Sequence, residues 1–308
     1  MNLLITRHDK IGDFIVSLPL FKAIKEQYPS TKLTALVSKI NFDFAKSLDF
    51  IDDVILYDKD NLDNTLQEIK TKNFDVSISC FIDTRLGKLL FKSGIKTRVA
   101  PATKIAQIFF NKRVKQRRSK CEKTEWQYNL DLAKAVFSDI KLDFKRPILE
   151  FGSIKEKRVV FHPGFGGTSD GNLSLNDYLN LARSIKNSDY QITFSFGPDD
   201  KYQKDYIEKH LDFDAKIYES KSTLMDFARY IASSYLFVST STGPKHIAAA
   251  TNIRTLSFFG SKFANSPNRW ASVNEESKQN NFIINNNYTQ DDYLQIEKRL
   301  KYILKYYS

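Results

Sequence analysis

Three stretches of the 308-residue sequence combine glycine with side chains able to hold an anion or move a proton: TRHDKIGDFIVSLPL (6–20), HPGFGGTSDGN (162–172) and STGPKHIAAA (241–250). In the last of these, Gly243 permits a tight turn and Pro244 fits a first helical position, where its missing N–H has no partner to lose. A helix start carries about +0.5 of a charge and attracts phosphate. Ser241 and Thr242 add hydroxyl donors at that point, and Lys245 and His246 fall in the first turn, from which the imidazole can reach a bound oxygen. The bland alternative is a histidine with a local hydrogen bond inside a helix. Ala248, Ala249 and Ala250 let the helix pack closely on a sheet.

The second stretch has four glycines in eleven residues. Gly164-Phe-Gly166-Gly167-Thr-Ser169 lacks the third glycine of GxGxxG, and the helix that follows begins too late for a dinucleotide turn. What remains, the backbone of Gly166 and Gly167 with the hydroxyls of Thr168 and Ser169, suits a diphosphate. In the first stretch Gly12 allows the turn and Asp13 opens a helix. A carboxylate there is either a cap or an ionised base whose pKa the helix start lowers. His8 and Asp9 share the loop as weaker candidates. Asp58-Lys-Asp60 and Asp212-Phe-Asp214 read as DxD pairs able to hold a divalent cation. Neither lies in a glycine-bearing loop, and no metal is expected.

Each chemical stretch follows an apolar run of strand type. In the first half, strands over Asn2–Thr6, Lys32–Val37, Asp53–Tyr57 and Phe74–Cys80 alternate with helices from about Asp13, near Phe42–Leu48 and over Leu62–Thr71. After Cys80 the rhythm loosens into a basic segment, and a helix resumes over Trp126–Phe137. KRPILEFGSIKEK (145–157) reads as a linker, dividing the chain into 1–150 and 151–308. The second half repeats the alternation, with strands over Arg158–His162, Tyr190–Phe196, Ala215–Tyr218, Tyr235–Ser239 and Arg254–Phe259. Two doubly wound α/β units follow, in which ligands bind at the carboxyl ends of strands where the strand order reverses. Asn-rich residues 279–287 read as a polar loop. A closing helix over Tyr288–Tyr307, capped by Thr289, aligns Tyr293, Ile296, Leu300, Ile303 and Tyr307 on a stripe expected to pack back onto the body.

An apolar share of 42% with 27% charged residues is that of a globular protein. No run reaches the length of a membrane span, and the charged start MNLLITRHDK lacks a secretory h-region, which predicts a cytosolic chain. Cys80 and Cys121 carry no metal or disulfide spacing. The net charge of +11 is uneven: residues 1–150 hold 27 bases against 19 acids, and residues 85–123 hold thirteen bases against Glu122 alone. That segment calls for an anionic partner. Nucleic acid is the less favoured one, since no RNP, helix-turn-helix or zinc pattern accompanies the charge. An NAD-dependent oxidoreductase is disfavoured by the missing third glycine.

Taken in order, IGDFIVSLPL, VVFHPGFGG and STGPKHIAAATNIRTLSFFGS resemble glycosyltransferase family 9, the heptosyltransferases of lipopolysaccharide inner-core assembly. The resemblance implies a GT-B fold: two Rossmann-like domains facing a cleft, acceptor on the first and nucleotide-sugar on the second. It implies an inverting, metal-independent and cofactor-free transfer of heptose from ADP-heptose to Kdo-lipid A or a heptosyl core. The alternative is a family member using another nucleotide-sugar or glycan acceptor. Asp13 matches the catalytic carboxylate; Thr242, Gly243 and His246 match the donor-phosphate turn; Thr168 and Ser169 match hydroxyls of the other donor loop. The acceptor side is expected to draw on Gly12 and on the basic residues Arg98, Lys104, Lys112, Arg113, Lys115, Arg117, Arg118 and Lys120, the last group also meeting the inner face of the cytoplasmic membrane. Two departures stand out. Where many members place a cation ahead of Trp-Pro, this chain has GNLSLNDY (171–178), so either Lys245 or Lys262 is expected to supply the cation or the donor phosphates are held differently, and Ser241 stands where some members have Asp.

Overall fold

The computed structural model describes residues 1–164, 171–220, 222–285 and 287–306. The chain divides into two compact units, Met1–Ile148 and Leu149–Ser308. The first is built on β1 (Asn2–Arg7), β2 (Lys32–Val37), β3 (Asp53–Leu56), β4 (Val76–Ser79), β5 (Thr97–Pro101) and β6 (Lys112–Val114). The second uses β7 (Arg158–His162), β8 (Gln191–Phe196), β9 (Lys216–Glu219), β10 (Leu236–Thr240), β11 (Arg254–Phe259) and β12 (Gln279–Ile283).

Both sheets are wholly parallel, and both have the doubly wound order. The first runs β3-β2-β1-β4-β5-β6; the second runs β12-β11-β10-β7-β8-β9, the same pattern when counted from β7. Helices cover both faces of such sheets, so the central strands are near-continuous apolar runs. Leu3, Leu4 and Ile5 of β1 and Val159, Val160 and Phe161 of β7 are fully buried for that reason. The order reverses between β1 and β4 in one unit and between β7 and β10 in the other. The three glycine-bearing stretches follow β1, β7 and β10, so the topology delivers all of them to switch points.

Several elements depart from the sequence-based expectation. The helix placed from Asp13 is two helices, Ile11–Ile15 and Leu18–Gln27, the second with Pro19 in its first turn. The basic segment is not a loop: it holds the helix Thr84–Lys92, β5, a 3-10 helix Ile105–Phe109 and β6. Leu86, Leu89 and Leu90 anchor that helix in the core while its cations face solvent, so charge concealed an amphipathic pattern. The Asn-rich loop contains β12, an edge strand pairing only with β11, where Asn280 donates to Thr255 O at 3.1 Å. The helix over Trp126–Phe137 is Glu125–Asp131 followed by a 3-10 turn.

The closing helix runs over Gln290–Tyr306. Thr289 and Asp292 exchange capping bonds, with the Asp292 amide donating to Thr289 Oγ1 at 3.2 Å and the Thr289 amide to Asp292 Oδ2 at 2.7 Å. Tyr293, Ile296, Leu300 and Ile303 are buried in the second unit's core beside Tyr178, Phe194 and Leu236; Tyr307 lies outside the described residues. No helix is long and apolar enough to cross a membrane among the described residues. Leu300→Ala removes a side chain with no exposure and is expected to destabilise the second unit by about 2–5 kcal/mol, read as a lower denaturation midpoint.

Candidate active site

In the first unit the chemistry is organised by a residue the sequence reading passed over. Arg7 ends β1 with its side chain 3% exposed, and three carboxylates surround it. Its Nε donates to Asp9 Oδ1 at 2.7 Å, its Nη2 to Asp13 Oδ1 at 2.5 Å, and its Nη1 lies 3.5 Å from Glu125 Oε1. Burial alone would lower the guanidinium's pKa, but Asp9, Asp13 and Glu125 together hold it above its ordinary value. Glu125 is itself buried and also receives Arg118, so the cluster is a chain of alternating charge.

Asp13 is the third residue of the helix Ile11–Ile15, directly after Gly12; Lys10, not Asp13, occupies the cap position. The expected lowering of its pKa is corrected by the structure: the pKa is raised. Burial drives it up, Arg7 opposes, and Asp9 and Glu125 add to the rise. A helix of barely one turn has little dipole to set against desolvation and two neighbouring anions. The consequence is a carboxylate that is a better proton acceptor than an exposed aspartate.

Across the switch point, the His8 ring nitrogen Nε2 lies 2.8 Å from Asp83 Oδ2 in the loop after β4. Asp83 also caps the helix Thr84–Lys92 by accepting from the Leu86 amide, and the His8 bond, with these amides, holds its carboxyl down at about 2 against burial. The buried His8 Nδ1 has no hydrogen-bond partner among the described residues. Cys80 follows β4 with its amide donating to Thr6 O at 3.0 Å; burial pushes its thiol up to about 12, which makes it an inert side chain rather than a nucleophile.

In the second unit the loop after β7 is tied to the end of β10 where Thr240 Oγ1 donates to Gly171 O. Gly171 lies so close to the backbone of Phe259 and Gly260 that no Cβ fits there, and a Cβ at Gly164 would displace the Asp200 carboxylate. Thr242 takes the cap position of the helix Gly243–Ala250, with Pro244 in its first turn and no side-chain cap bond. The Gly243 and Lys245 amides meet no acceptor among the described residues, which leaves donors for a ligand. Ser241 is held by its amide to Phe258 O at 2.9 Å. Gly166, Gly167, Thr168 and Ser169 lie outside the described residues.

His246 is buried, its Nδ1 without a hydrogen-bond partner among the described residues and its ring 6.1 Å from Trp270. Burial, then Lys245, pushes its pKa well below the ordinary histidine range, so it offers an N–H or a lone pair but no charge. Lys245 corrects the expectation of a phosphate-binding cation: it has no exposure, donates to Trp270 O at 2.7 Å, and sits 4.5 Å from the Phe259 ring. Burial pushes its pKa well down. Lys262 is exposed.

Two of the expected acceptor residues are internal ties. Arg98 donates to Phe109 O at 2.8 Å and to Ile95 O. Arg118 binds Glu125, Cys80 O, Gln116 and Asn129. Both hold segments of the first unit together, because a planar guanidinium can reach several carbonyls at once. Lys112 donates to Ala135 O at 3.0 Å, while Arg113, Lys115, Arg117 and Lys120 are exposed. Lys104 stands over the Phe81 ring at 4.0 Å, and that ring neighbours His8 at 5.4 Å, so Lys104 does join the Asp13 corner. In the DxD pairs, Asp58 accepts from the Asp60 amide and Asp212 pairs with Arg183. The signal for Arg7 was its position: a charge ending an otherwise apolar central strand needs a partner at the switch point.

With this geometry in hand, comparison with known proteins is direct. The family model for glycosyltransferase family 9 (heptosyltransferase) matches residues 99–301. A Haemophilus influenzae protein named "Putative glycosyltransferase" is 36% identical over 304 residues, covering 90% of this chain and 87% of that one. The chain belongs to glycosyltransferase family 9. Among solved structures, E. coli ADP-heptose lps heptosyltransferase II superposes with a TM-score of 0.80 at 16% identity, over 99% of this chain and 98% of that one. E. coli heptosyltransferase WaaC with ADP gives 0.80 at 14%, over 98% and 99%. At such identities the structures establish the fold, and the two Rossmann-like units of this glycosyltransferase are of GT-B type.

Arg7→Met leaves three carboxylates facing a buried apolar group and is expected to cost about 3–5 kcal/mol of stability near neutral pH. Protonated Asp13 no longer needs a cation, so the gap to wild type should narrow as pH falls. Urea midpoints of both proteins across a pH series check the sign.

Proposed function

We propose that this enzyme moves heptose from a nucleotide diphosphate sugar, ADP-heptose, to a hydroxyl of an anionic, lipid-linked inner-core glycan such as Kdo-lipid A. The reading is of a single inverting displacement, with no metal or cofactor in the step. The observation that carries it is the Asp13 carboxylate, fixed by buried Arg7 at the switch point of the first sheet. Family membership supports the reaction class, and WaaC has been solved with ADP and with ADP-2-deoxy-2-fluoro heptose.

In the proposed step the first unit holds the acceptor and the second the donor. Asp13 takes the proton of the acceptor hydroxyl as its oxygen forms a bond to the anomeric carbon, while the bond from that carbon to the diphosphate breaks. Negative charge moves from Asp13 to the departing diphosphate. Free amides at Gly243 and Lys245, the hydroxyls of Ser241 and Thr242, and an N–H of neutral His246 are the groups that would receive it. Dipoles already aimed at the growing charge act more strongly on the transition state than on the bound donor. The exposed cations Lys104, Arg113, Lys115, Arg117 and Lys120 would attract acceptor phosphates and carboxylates and the membrane face that displays them.

Asp13→Asn should retain fold and nucleotide binding but lose about 10²- to 10⁴-fold in turnover; near-normal turnover would remove Asp13 from the role. In the wild type, kcat/KM should fall as pH is lowered, because the base becomes protonated, with an acid limb above the 3.8 of an ordinary aspartate. Nucleotides separate the donor classes. A ligand at 100 times its Kd stabilises by about 2.7 kcal/mol, so ADP should raise the melting temperature more than GDP or UDP at equal concentration. A larger shift with GDP or UDP would replace the donor.

A further inference from the structure

The segment between β5 and β6 turns an apolar face to solvent. Ile105 and Ile108 are 81% and 66% exposed in the 3-10 helix Ile105–Phe109. At three residues per turn the two side chains stack on one face. The neighbouring face carries buried Ala106 and half-buried Phe109, the latter packed against Gly87 so closely that a Cβ there would lie 2.7 Å from its ring. Through that contact the helix Thr84–Lys92 lies alongside, and it exposes Phe91 at 59%, with its ring 6.3 Å from that of Phe109. Single exposed apolar side chains are ordinary; three on two elements packed together are a surface with a purpose.

Cations flank these residues. Arg85, Lys88 and Lys92 follow at spacings of three and four, forming one exposed stripe of the helix. On the other side the edge strand β6 exposes Arg113, and Lys115 follows it. None of these five forms an ion pair among the described residues.

The residue that opens the 3-10 helix is strained. Lys104 has φ +56° and ψ 166°, a conformation that side chains avoid. It is held there by its ammonium, which donates to Ile82 O at 3.2 Å and stands over Phe81. Phe81 also neighbours His8 and Arg7. The isoleucine face is thereby linked to the corner that carries Asp13, within one compact unit.

We propose that Ile105 and Ile108, with Phe91 beside them, form a wedge that inserts into an anionic lipid bilayer, while Arg85, Lys88, Lys92, Arg113 and Lys115 lie against its headgroups. Apolar side chains ringed by cations match the bilayer interface, where hydrocarbon lies just below a layer of phosphate. A purely basic surface would serve any polyanion. The wedge deepens the membrane contact suggested above from attraction to insertion, and it is tested without donor or acceptor, so its failure is separable from failure of the transferase reading.

The test is co-sedimentation of the full chain with vesicles of mixed phosphatidylglycerol and phosphatidylcholine, against vesicles of phosphatidylcholine alone. Binding is expected to the anionic vesicles. Ile105→Ser/Ile108→Ser, which leaves the net charge unchanged, should lower that partition by about tenfold or more, since every methylene withdrawn from the hydrocarbon counts. Ile108→Trp should raise the partition and show a blue-shifted emission on adding anionic vesicles, a readout that does not rely on loss. Absence of wild-type binding overturns the proposal. So does a double serine variant that sediments as well as wild type, or an Ile108→Trp emission that vesicles leave unmoved.

Discussion

A buried guanidinium cannot remain in a protein interior unless anions surround it, and in this glycosyltransferase that requirement organises the first unit. Arg7 ends the central strand β1, so its charge arrives at the switch point whatever the neighbouring loops do. Asp9 and Asp13 from the following loop and short helix, and Glu125 from a helix far along the chain, are drawn to one point. Arg118 then completes the alternation through Glu125. The outcome is a carboxylate fixed in position and a better proton acceptor than solvent would leave it. The cost is that removing Arg7 leaves its carboxylate partners without their shared cation.

The two sheets share one strand order but put it to different electrostatic use. At the first switch point the working groups are ionisable side chains packed against each other. At the second they are backbone amides, released by glycine and proline at the start of the helix Gly243–Ala250, while the two titratable side chains nearest, Lys245 and His246, are buried and held toward their neutral forms. Fixed dipoles suit a site that must receive charge, because they need no proton to be in place first. A carboxylate suits a site that must accept a proton. The same topology thus places a carboxylate paired with a buried guanidinium in one unit, and in the other helix-start amides that meet no acceptor among the described residues.

Much of this was readable from the chain. Lys32–Val37, Leu62–Thr71, Arg158–His162 and Arg254–Phe259 have the bounds that their apolar runs and helical periodicity predict, since central parallel strands and amphipathic helices advertise burial. β5, β6 and β12 escaped notice because they lie toward or at sheet edges, where asparagine, lysine and arginine replace valine and isoleucine. The glycine turns were legible because glycine and proline restrict the backbone by themselves. Arg7 was not, because its meaning depends on Glu125, and no local pattern joins the two. Lys245 misled for the converse reason: a lysine in the first turn beside a phosphate-type turn looks like a ligand, yet its stem is enclosed and its ammonium is bound to Trp270 O. Arg98 and Arg118 show the same limit within the basic segment, where sequence cannot separate interior ties from surface charge.

The depth at which each charge sits divides the molecule's response to ionic strength. Exposed cations such as Lys88, Lys92 and Arg113 lie in reach of counterions, whose screening length is about 8 Å in physiological salt, whereas the Arg7 guanidinium is enclosed and its partners Asp9 and Asp13 are only partly exposed. If the basic surface meets an anionic bilayer as proposed, added electrolyte would weaken that pull more than it disturbs the pairing of the enclosed guanidinium, so sodium chloride would act on capture ahead of chemistry.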